Sequence, residues 1–320
     1  MKQFIDVIVP QFYGENKAKP LFHSLNNQIG IDFSLINIIV VNDCGGKKLS
    51  KTFFSEFSNL KNIQYLTTEK KSGPGPARQL GIDHATGFYV MFVDEDDYLL
   101  SNFIFQCVKE MLNYEGRNIY HTYVYDSNSN LMQPTTILLH GKIFKRSFLV
   151  ENNIRFHPEI RINEDNYFNL LAEACTEKKV VLPIGGYVWV NNPDSLTRKN
   201  SSDFRIKSYQ SFFFCMLKLA GEFEQRGFHD QLCKIVCLAT WKAYYYNSLD
   251  FSDEYQDEKL IALLTFSQFY KAYENYLSDA SIAVFKETKE LCYKEAVFQG
   301  LIFEKTNFDT FIKNIKELIS

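Results

Sequence analysis

The sequence predicts an α/β protein, a mixed, mainly parallel sheet flanked by helices, followed by a C-terminal helical region. Three observations carry that reading. Residues 1 to about 100 alternate apolar strand runs with helical ones, which is the βαβ rhythm of a doubly wound sheet. The run Phe88 to Val93 is apolar throughout, as expected when helices cover both faces of a parallel strand. From about residue 203 the period turns helical. Near the end Phe308, Phe311, Ile312, Ile315, Leu318 and Ile319 form one stripe, with Lys313, Lys316 and Glu317 off it.

In chain order, the pattern predicts a strand over 4–10, a helix over 16–28, strands over 36–42 and 63–68, a helix over 75–86 and a strand over 88–93. The run Ile38 to Val41 gives the second strand its apolar body, and Gly87 supplies the turn into the fourth. Residues 101 to about 200 are mixed, with a helix over 102–114, strands over 119–124, 135–139 and 179–190, and helices near 145–151 and 164–175. The expected domains are 1–200 and 201–320. Dense aromatics in the second, Phe212-Phe213-Phe214 and Tyr244-Tyr245-Tyr246, read as helix core and rim. There is no internal repeat and no low-complexity segment.

Composition narrows the function classes. With 320 residues, 46% of them hydrophobic and 16% aromatic, the chain can fill a sizeable core, which excludes disorder. A net charge of −3 argues against nucleic acid as a partner. Apolar runs such as Val180 to Val190 are too short to span a bilayer. The first residues enter a strand pattern without a basic region, apolar stretch or cleavage site, so a soluble, non-secreted chain is expected. Seven cysteines without a CxxC pair fit a reducing cytoplasm, and Cys233 and Cys237 fall on one helix face as core residues.

The chemistry concentrates where the 88–93 strand ends, in Asp94-Glu95-Asp96-Asp97. Ligands gather at the carboxyl ends of parallel strands, and clustered carboxylates repel unless a cation joins them. Hard oxygen ligands suit Mg²⁺ or Mn²⁺. The plainer alternative is a solvated turn with Asp97 as a helix N-cap. Two phosphate-loop patterns fail on spacing. Gly45-Gly46-Lys47-Lys48 has Val41 and Lys48 where a P-loop needs Gly and Ser or Thr, and Gly73-Pro74-Gly75 has Arg78 at the third glycine of a dinucleotide fingerprint. A different nucleotide site does fit. Strand one runs out through Pro10, Phe12 and Glu15 and strand two through Asp43. With Arg78 and Asp94 they bring a ring, carboxylates and a guanidinium to one sheet edge. A uracil offers an N3–H donor to a carboxylate and carbonyl acceptors to an arginine, and a ribose diol suits an aspartate.

These motifs resemble those of the inverting family-2 glycosyltransferases, which have the GT-A fold. The family pattern runs Pro-x-Tyr/Asn-x-x-Glu, Val-Asp-Asp-Gly-Ser, Gly-x-x-x-Ala-Arg-Asn-x-Gly and Phe-x-Asp-x-Asp-Asp. The chain matches it at Pro10, Glu15, Val41, Asp43, Gly73, Ala77, Arg78, Gly81, Phe92, Asp94, Asp96 and Asp97. It departs at Phe12, Asn42, Cys44-Gly45 and Gln79. The resemblance implies that Pro10, Phe12, Glu15, Asp43 and Arg78 hold the uridine of a UDP-sugar. Asp94 would contact ribose or metal, and Asp96 would bind the Mn²⁺ or Mg²⁺ bridging the diphosphate.

It extends over about residues 4–200. The segment His140-Gly141-Lys142 to Leu149 is similar to the one leading into the family's acceptor site, which puts His140 and Lys142 on the acceptor side. A Glu-Asp pair follows about twenty residues later, here Glu164-Asp165, and the resemblance makes Asp165 the catalytic base, with Glu164 next in line. Simple helix capping is the alternative for both. Val190 to Lys199 resembles the family's mobile segment, where Arg198 and Lys199 would cover the diphosphate. The other histidines show no ligand spacing and read as structural or acceptor-side.

The expected activity is metal-dependent transfer of a hexose or N-acetylhexosamine from a UDP-sugar to a hydroxyl of a glycan, cell-surface polymer or protein-linked acceptor, with inversion. The expected location is the cytoplasm, including the inner face of the membrane. The last 120 residues are open to three roles: shaping the acceptor site, building a homo-oligomer, or touching a membrane surface. A nucleotidyltransferase would need a Gly-rich basic loop after strand one, which Pro10 to Glu15 lacks. A glycoside hydrolase would have no use for a uridine site. Asp94, Asp96 and Asp165 together speak against a degenerate scaffold subunit, while Asn42 and Cys44 leave that alternative open.

Overall fold

A computed structural model describes residues 4–134, 138–190, 202–247, 256–298 and 307–318. The chain forms two compact units, Met1–Pro193 and Asp194–Ser320.

The first unit is built on one sheet. Its strands are β1 (Ile5–Gln11), β2 (Ile36–Asn42), β3 (Ile63–Thr67), β4 (Tyr89–Phe92), β5 (Tyr98–Leu99), β6 (Ile119–Asp126), β7 (Leu131–Met132), β8 (Lys142–Lys145) and β9 (Lys179–Trp189). They lie in the order β3-β2-β1-β4-β8-β6-β9-β5, with β7 paired to β6 off that path. The first four are mutually parallel. β8 then enters antiparallel to both β4 and β6, while β9 runs parallel to β6. Every residue of β2 is buried, which explains its unbroken apolar run. The flanking helices are α1 (Glu15–Asn26), α2 (Lys51–Ser55), α3 (Pro74–His84), α4 (Phe103–Asn113), α5 (Arg146–Glu151) and α6 (Glu164–Ala174). The mixed, mainly parallel sheet with helices is the architecture the sequence predicts.

Gly81 sets the seat of α3. A Cβ there would collide with Ile8 of β1, so only glycine allows this close approach of helix to strand. Three turns of α3 are thereby held against β1 and β2, which fixes where Arg78 emerges.

Two local expectations are corrected. No strand occupies described residues 138 and 139; the strand of that region is β8, three residues later, and 135–137 lie outside the described residues. Asp97 caps no helix. It is 1% exposed, and the next helix begins at Phe103 with Asn102 at its N-cap position.

The second unit consists, in its described residues, of helices α7 (Ser202–Arg226), α8 (His229–Asn247), α9 (Gln256–Asp279), α10 (Ile282–Phe298) and α11 (Phe308–Glu317). α8 packs on α7, α9 and α10, and α11 packs on α9. The aromatic triplets are its core and rim: Phe212, Phe213, Tyr245 and Tyr246 are buried, and Phe214 and Tyr244 half-buried. Trp241 stacks near Phe308 at 4.4 Å between ring centres. All seven cysteines are free thiols, and Cys233 and Cys237 are buried. No helix among the described residues is long and apolar enough to cross a membrane.

Candidate active site

Arg78 is the hub of the sheet edge. It leaves the middle of α3 with 7% of its side chain exposed and donates Nη2 to Asp94 Oδ1 at 2.6 Å and Nη1 to Glu164 Oε1 at 2.8 Å. One guanidinium therefore joins the end of β4 to the first residue of α6. Burial works against its charge, but the two carboxylates more than offset that and raise its pKa further. Burial pushes Asp94 up as well, and Arg78 and His140 outweigh it, leaving the carboxyl far below the usual range. Glu164 is different. Burial and the neighbouring Asp165 raise it to about 7, despite Arg78.

The antiparallel register of β8 brings His140 into the same place. Tyr89, Val90 and Met91 pair with Lys145, Phe144 and Ile143; continuing that register sets Asp94 across from His140. The observed Nε2 to Asp94 Oδ2 distance is 3.5 Å, and to Asp97 Oδ2 it is 3.8 Å. Ligand atoms of Asp94, Asp97 and His140 all lie within 4.8 Å of one another. Two carboxylates and an imidazole are a donor set that Mn²⁺ or Mg²⁺ accepts, the nitrogen favouring Mn²⁺. Asp97 is braced from behind: Tyr187 donates its hydroxyl to Oδ2, and the Val190 N–H donates to Oδ1 at 2.8 Å. Burial and the nearby Asp94 raise Asp97 to about 7. Asp96, expected as a metal ligand, is half-exposed and lies outside this set.

The residues expected to hold the nucleotide are largely engaged with their own loops. Asp43 is 6% exposed and accepts from the Ser72 N–H (2.8 Å) on Oδ1 and the Gly73 N–H (3.0 Å) on Oδ2, tying β2 to the start of α3. Glu15, in the first turn of α1, accepts from the Ser50 N–H at 2.9 Å; that bond lowers its pKa. Pro10 and Phe12 are half-buried. Glu95, grouped by sequence with the cation-binding carboxylates, instead turns back under the first loop and accepts from the Phe12 N–H (2.6 Å) and Tyr13 N–H (2.8 Å). Burial raises it to about 7, with those backbone donors pulling the other way.

On α6, the N-cap position belongs to Asn163, in the left-handed region at φ 64°, so Asp165 is the second helical residue and not the cap. It is half-buried and its Oδ1 accepts from the following N–H, that of Asn166, at 2.9 Å. Burial raises its pKa, while Arg78 and His140 act against that. Lys142, expected on the acceptor side, is 2% exposed and faces inward, with Nζ 3.0 Å from Asn169 Oδ1 and 3.7 Å from Glu173 Oε1. Burial lowers it to about 8. Glu173 also meets His121 at 3.0 Å and Lys179 at 2.9 Å. Arg198 and Lys199 lie outside the described residues.

The structure thus gathers Arg78, Asp94, His140, Glu164 and Asp165, and keeps Asp97 of the acidic cluster beside them. It adds Tyr187, which sequence reasoning did not assign, and turns Glu95 of that cluster under the first loop. The sequence marked His140 only through the resemblance of its segment, on the acceptor side; the register of β8, which the sequence did not announce, is what carries it to Asp94. Nothing local in the sequence distinguishes Glu95 from its acidic neighbours.

Comparison with known proteins decides the family. The model for "Glycosyl transferase family 2" matches residues 6–208. This chain belongs to glycosyltransferase family 2. The family-2 chain is 30% identical over 254 residues to the uncharacterized glycosyltransferase EpsJ of Bacillus subtilis, covering 69% of its own length and 72% of that protein. It is 27% identical to the poly(ribitol-phosphate) beta-N-acetylglucosaminyltransferase TarS of Staphylococcus aureus over 57% of this chain, but spans only 35% of TarS. The solved structure of TarS 1–349 in complex with UDP-GlcNAc superimposes with a TM-score of 0.69 at 20% identity, covering 94% of this chain and 93% of that one. A mannosyltransferase from Pyrobaculum calidifontis, solved with GDP-Man and Mn²⁺, gives a TM-score of 0.52 at 13% identity over all of this chain and 86% of that one. The fold is therefore of the GT-A type, and the chain is a glycosyltransferase.

Proposed function

We propose that this glycosyltransferase moves a hexose or N-acetylhexosamine from a UDP-sugar to a hydroxyl of a cell-surface polymer, glycan or protein-linked acceptor, with inversion. The observation that carries the reading is the Arg78 bridge. It places the end of β4, where a diphosphate would lie, beside the first turn of α6, where Asp165 stands. TarS is solved with UDP-GlcNAc and named for poly(ribitol-phosphate), which supports a UDP-sugar donor and a polymer acceptor here.

In this reading Phe12, Pro10 and Glu15 frame the uridine, with Asp43 and Arg78 offering its polar partners. Asp94, Asp97 and His140 would hold Mn²⁺ or Mg²⁺, with the half-exposed Asp96 the next carboxylate along the chain. A bound divalent cation supplies neutralisation of charge on the departing diphosphate. Arg78 keeps Asp94 ionised for that task. Asp165 takes the proton of the acceptor hydroxyl on a carboxylate oxygen as attack begins; the upward push of burial on its pKa makes it the stronger base. One displacement needs one base and no covalent nucleophile. Glu164 stays bound to Arg78 and holds the head of α6 in place. A chain acting on such an acceptor would work in the cytoplasm, at the inner membrane face.

The test is a screen of UDP-glucose, UDP-galactose and their N-acetyl forms, with GDP- and ADP-sugars beside them, for hydrolysis and transfer, with Mn²⁺, with Mg²⁺ and with chelator. The expected outcome is turnover of at least one UDP-sugar that chelation abolishes. Turnover indifferent to chelation would remove the metal role, and turnover of only GDP- or ADP-sugars would remove the uridine site.

A further inference from the structure

Among the residues between Asp94 and Asp97, Glu95 is the one whose chemistry the proposed reaction leaves unused. It is 4% exposed, and a carboxylate is costly to bury there unless something is gained. Its Oε1 accepts from two consecutive backbone donors, Phe12 N–H at 2.6 Å and Tyr13 N–H at 2.8 Å, and its Oε2 lies 3.3 Å from Gln11 Nε2. Gln11 continues the network. Its Nε2 donates to the Lys47 carbonyl at 2.8 Å, and its Oε1 accepts from Asn42 Nδ2 at 2.6 Å. The loops that follow β1, β2 and β4 are thus joined through one buried set of polar groups.

Phe12 is the residue on which these constraints converge. Glu95 holds its N–H, and the Lys47 N–H donates to its carbonyl at 2.8 Å. A Cβ on Gly46 would stand 2.9 Å from both its Cα and its carbonyl oxygen, so the loop after β2 presses directly on the Phe12 backbone. The Phe12 ring stays half-buried, and the exposed Lys71 ammonium lies over it 4.7 Å from its centroid, so a surface side chain that a ligand can displace covers that face. A fixed backbone carrying an aromatic face at the carboxyl edge of a parallel sheet suits a nucleobase.

Resting on the nucleotide-sugar reading above, we infer that Glu95 is a positioning residue for the nucleobase: it fixes the Phe12 ring as the wall on which the base stacks. The acidic tetrad then serves both ends of one ligand. Asp94 and Asp97 face the diphosphate side, and Glu95 faces backwards to set the base side. Hydrogen bonds to a buried charged group are among the stronger ones, and two of them fix both position and direction of the Phe12 backbone.

The experiment measures affinity by calorimetry for UDP, CDP, GDP and ADP, with and without Mn²⁺, well below the unfolding temperature of each protein. The expected result for Glu95→Ala is a loss of about tenfold for the preferred nucleotide, equal in the presence and absence of metal. Glu95→Gln keeps one acceptor oxygen for both N–H groups and should recover to within about threefold of the parent. Adding Glu95→Ala to Phe12→Leu should weaken binding little further, because the first change acts through the ring the second removes. Should Glu95→Ala fail to fold, Gly46→Ala displaces the same backbone from the other side and should show the same metal-independent loss.

Parent-like affinity in folded Glu95→Ala, additive losses with Phe12→Leu, or a Gln variant as weak as the Ala variant would overturn the inference. Loss of only the metal-dependent part would make Glu95 a ligand of the cation and overturn it too. A parent that prefers GDP or ADP, with the Glu95 pattern intact, would overturn the uridine reading alone. A parent that binds no nucleotide would overturn both.

Discussion

The two units treat buried polarity in opposite ways. In Met1–Pro193, charged groups go inside: Arg78, Glu95, Asp97, Lys142, Glu164 and Glu173 are each at most 9% exposed and meet one another or backbone donors from distant segments. In Asp194–Ser320, the described buried polar side chains are neutral. Thr240, Ser267 and Thr288 each return a hydroxyl to the carbonyl four residues back on their own helix. Ion pairs there such as Lys234–Glu287 and Lys313–Glu317 lie on the surface with more than half of each side chain exposed, and the more covered Arg226–Glu222 joins residues four apart on one helix. Local satisfaction of this kind costs a fold little. Burying charge across segments distant in sequence is expensive, and Arg78, Asp97 and Glu164 stand at the sheet edge where the transfer chemistry is proposed. The difference teaches where to look for function in such a chain: at charges that are buried and paired across distant segments.

The largest effect that would sharpen this contrast comes from Asp165. Asp165→Asn should keep UDP-sugar affinity and unfolding temperature near those of the parent while transfer falls by about 10²–10⁴, the usual worth of a positioned base. The N-cap position is Asn163, so capping offers no competing account of a lost rate. Transfer at close to the parent rate would remove Asp165 from the chemistry and point to Glu164.

Next in size is Arg78→Met, which strands two carboxylates that share one cation. Breaking a buried pair by removing one partner costs about 3–5 kcal/mol, so urea unfolding of the first unit should shift by that order. Nucleotide affinity should fall alongside. A loss below about 1 kcal/mol would mean that water reaches the bridge, and the contrast between units would weaken.

The smallest effect belongs to the second unit. Lys313→Ala removes an exposed pair whose side chains are 76% and 65% accessible, and thermal unfolding should change by less than about 0.5 kcal/mol. A loss as large as that of Arg78→Met would show that the surface pairs carry structure after all.

The parallel half of the fold was legible because its residues obey one rule: β2 and β4 are buried on both faces and read as apolar runs. The strands that escaped notice are short or polar. β5 and β7 have two residues each, and β8 reads Lys-Ile-Phe-Lys, with a lysine at each end. Propensity treats Lys142 as exposed, whereas Asn169 and Glu173 accept it inside, and no local pattern announces partners that distant in sequence. The same blindness affected the acidic tetrad. Four adjacent carboxylates look alike in sequence, yet Asp94 faces Arg78, Glu95 turns under the first loop, Asp96 is half-exposed and Asp97 meets Tyr187. Arg78 and the Glu164-Asp165 pair were legible because their spacing, rather than their environment, marks them.

The reversed direction of β8 has a consequence for how such a chain can diversify. Because it runs against β4, the residues that precede it arrive at the same edge as the residues that follow β1, β2 and β4. His140 reaches Asp94 by this route. The edge is therefore supplied by two independent inheritances. The four-strand block β3-β2-β1-β4 presents one set of loops, and everything threaded through β8, β6 and β9 presents another. Insertions ahead of β8 can remodel the second set without disturbing a single parallel pairing in the first. A lineage of such chains can keep the parallel block nearly constant while the loops of the other set vary, with β8 as the seam between the two.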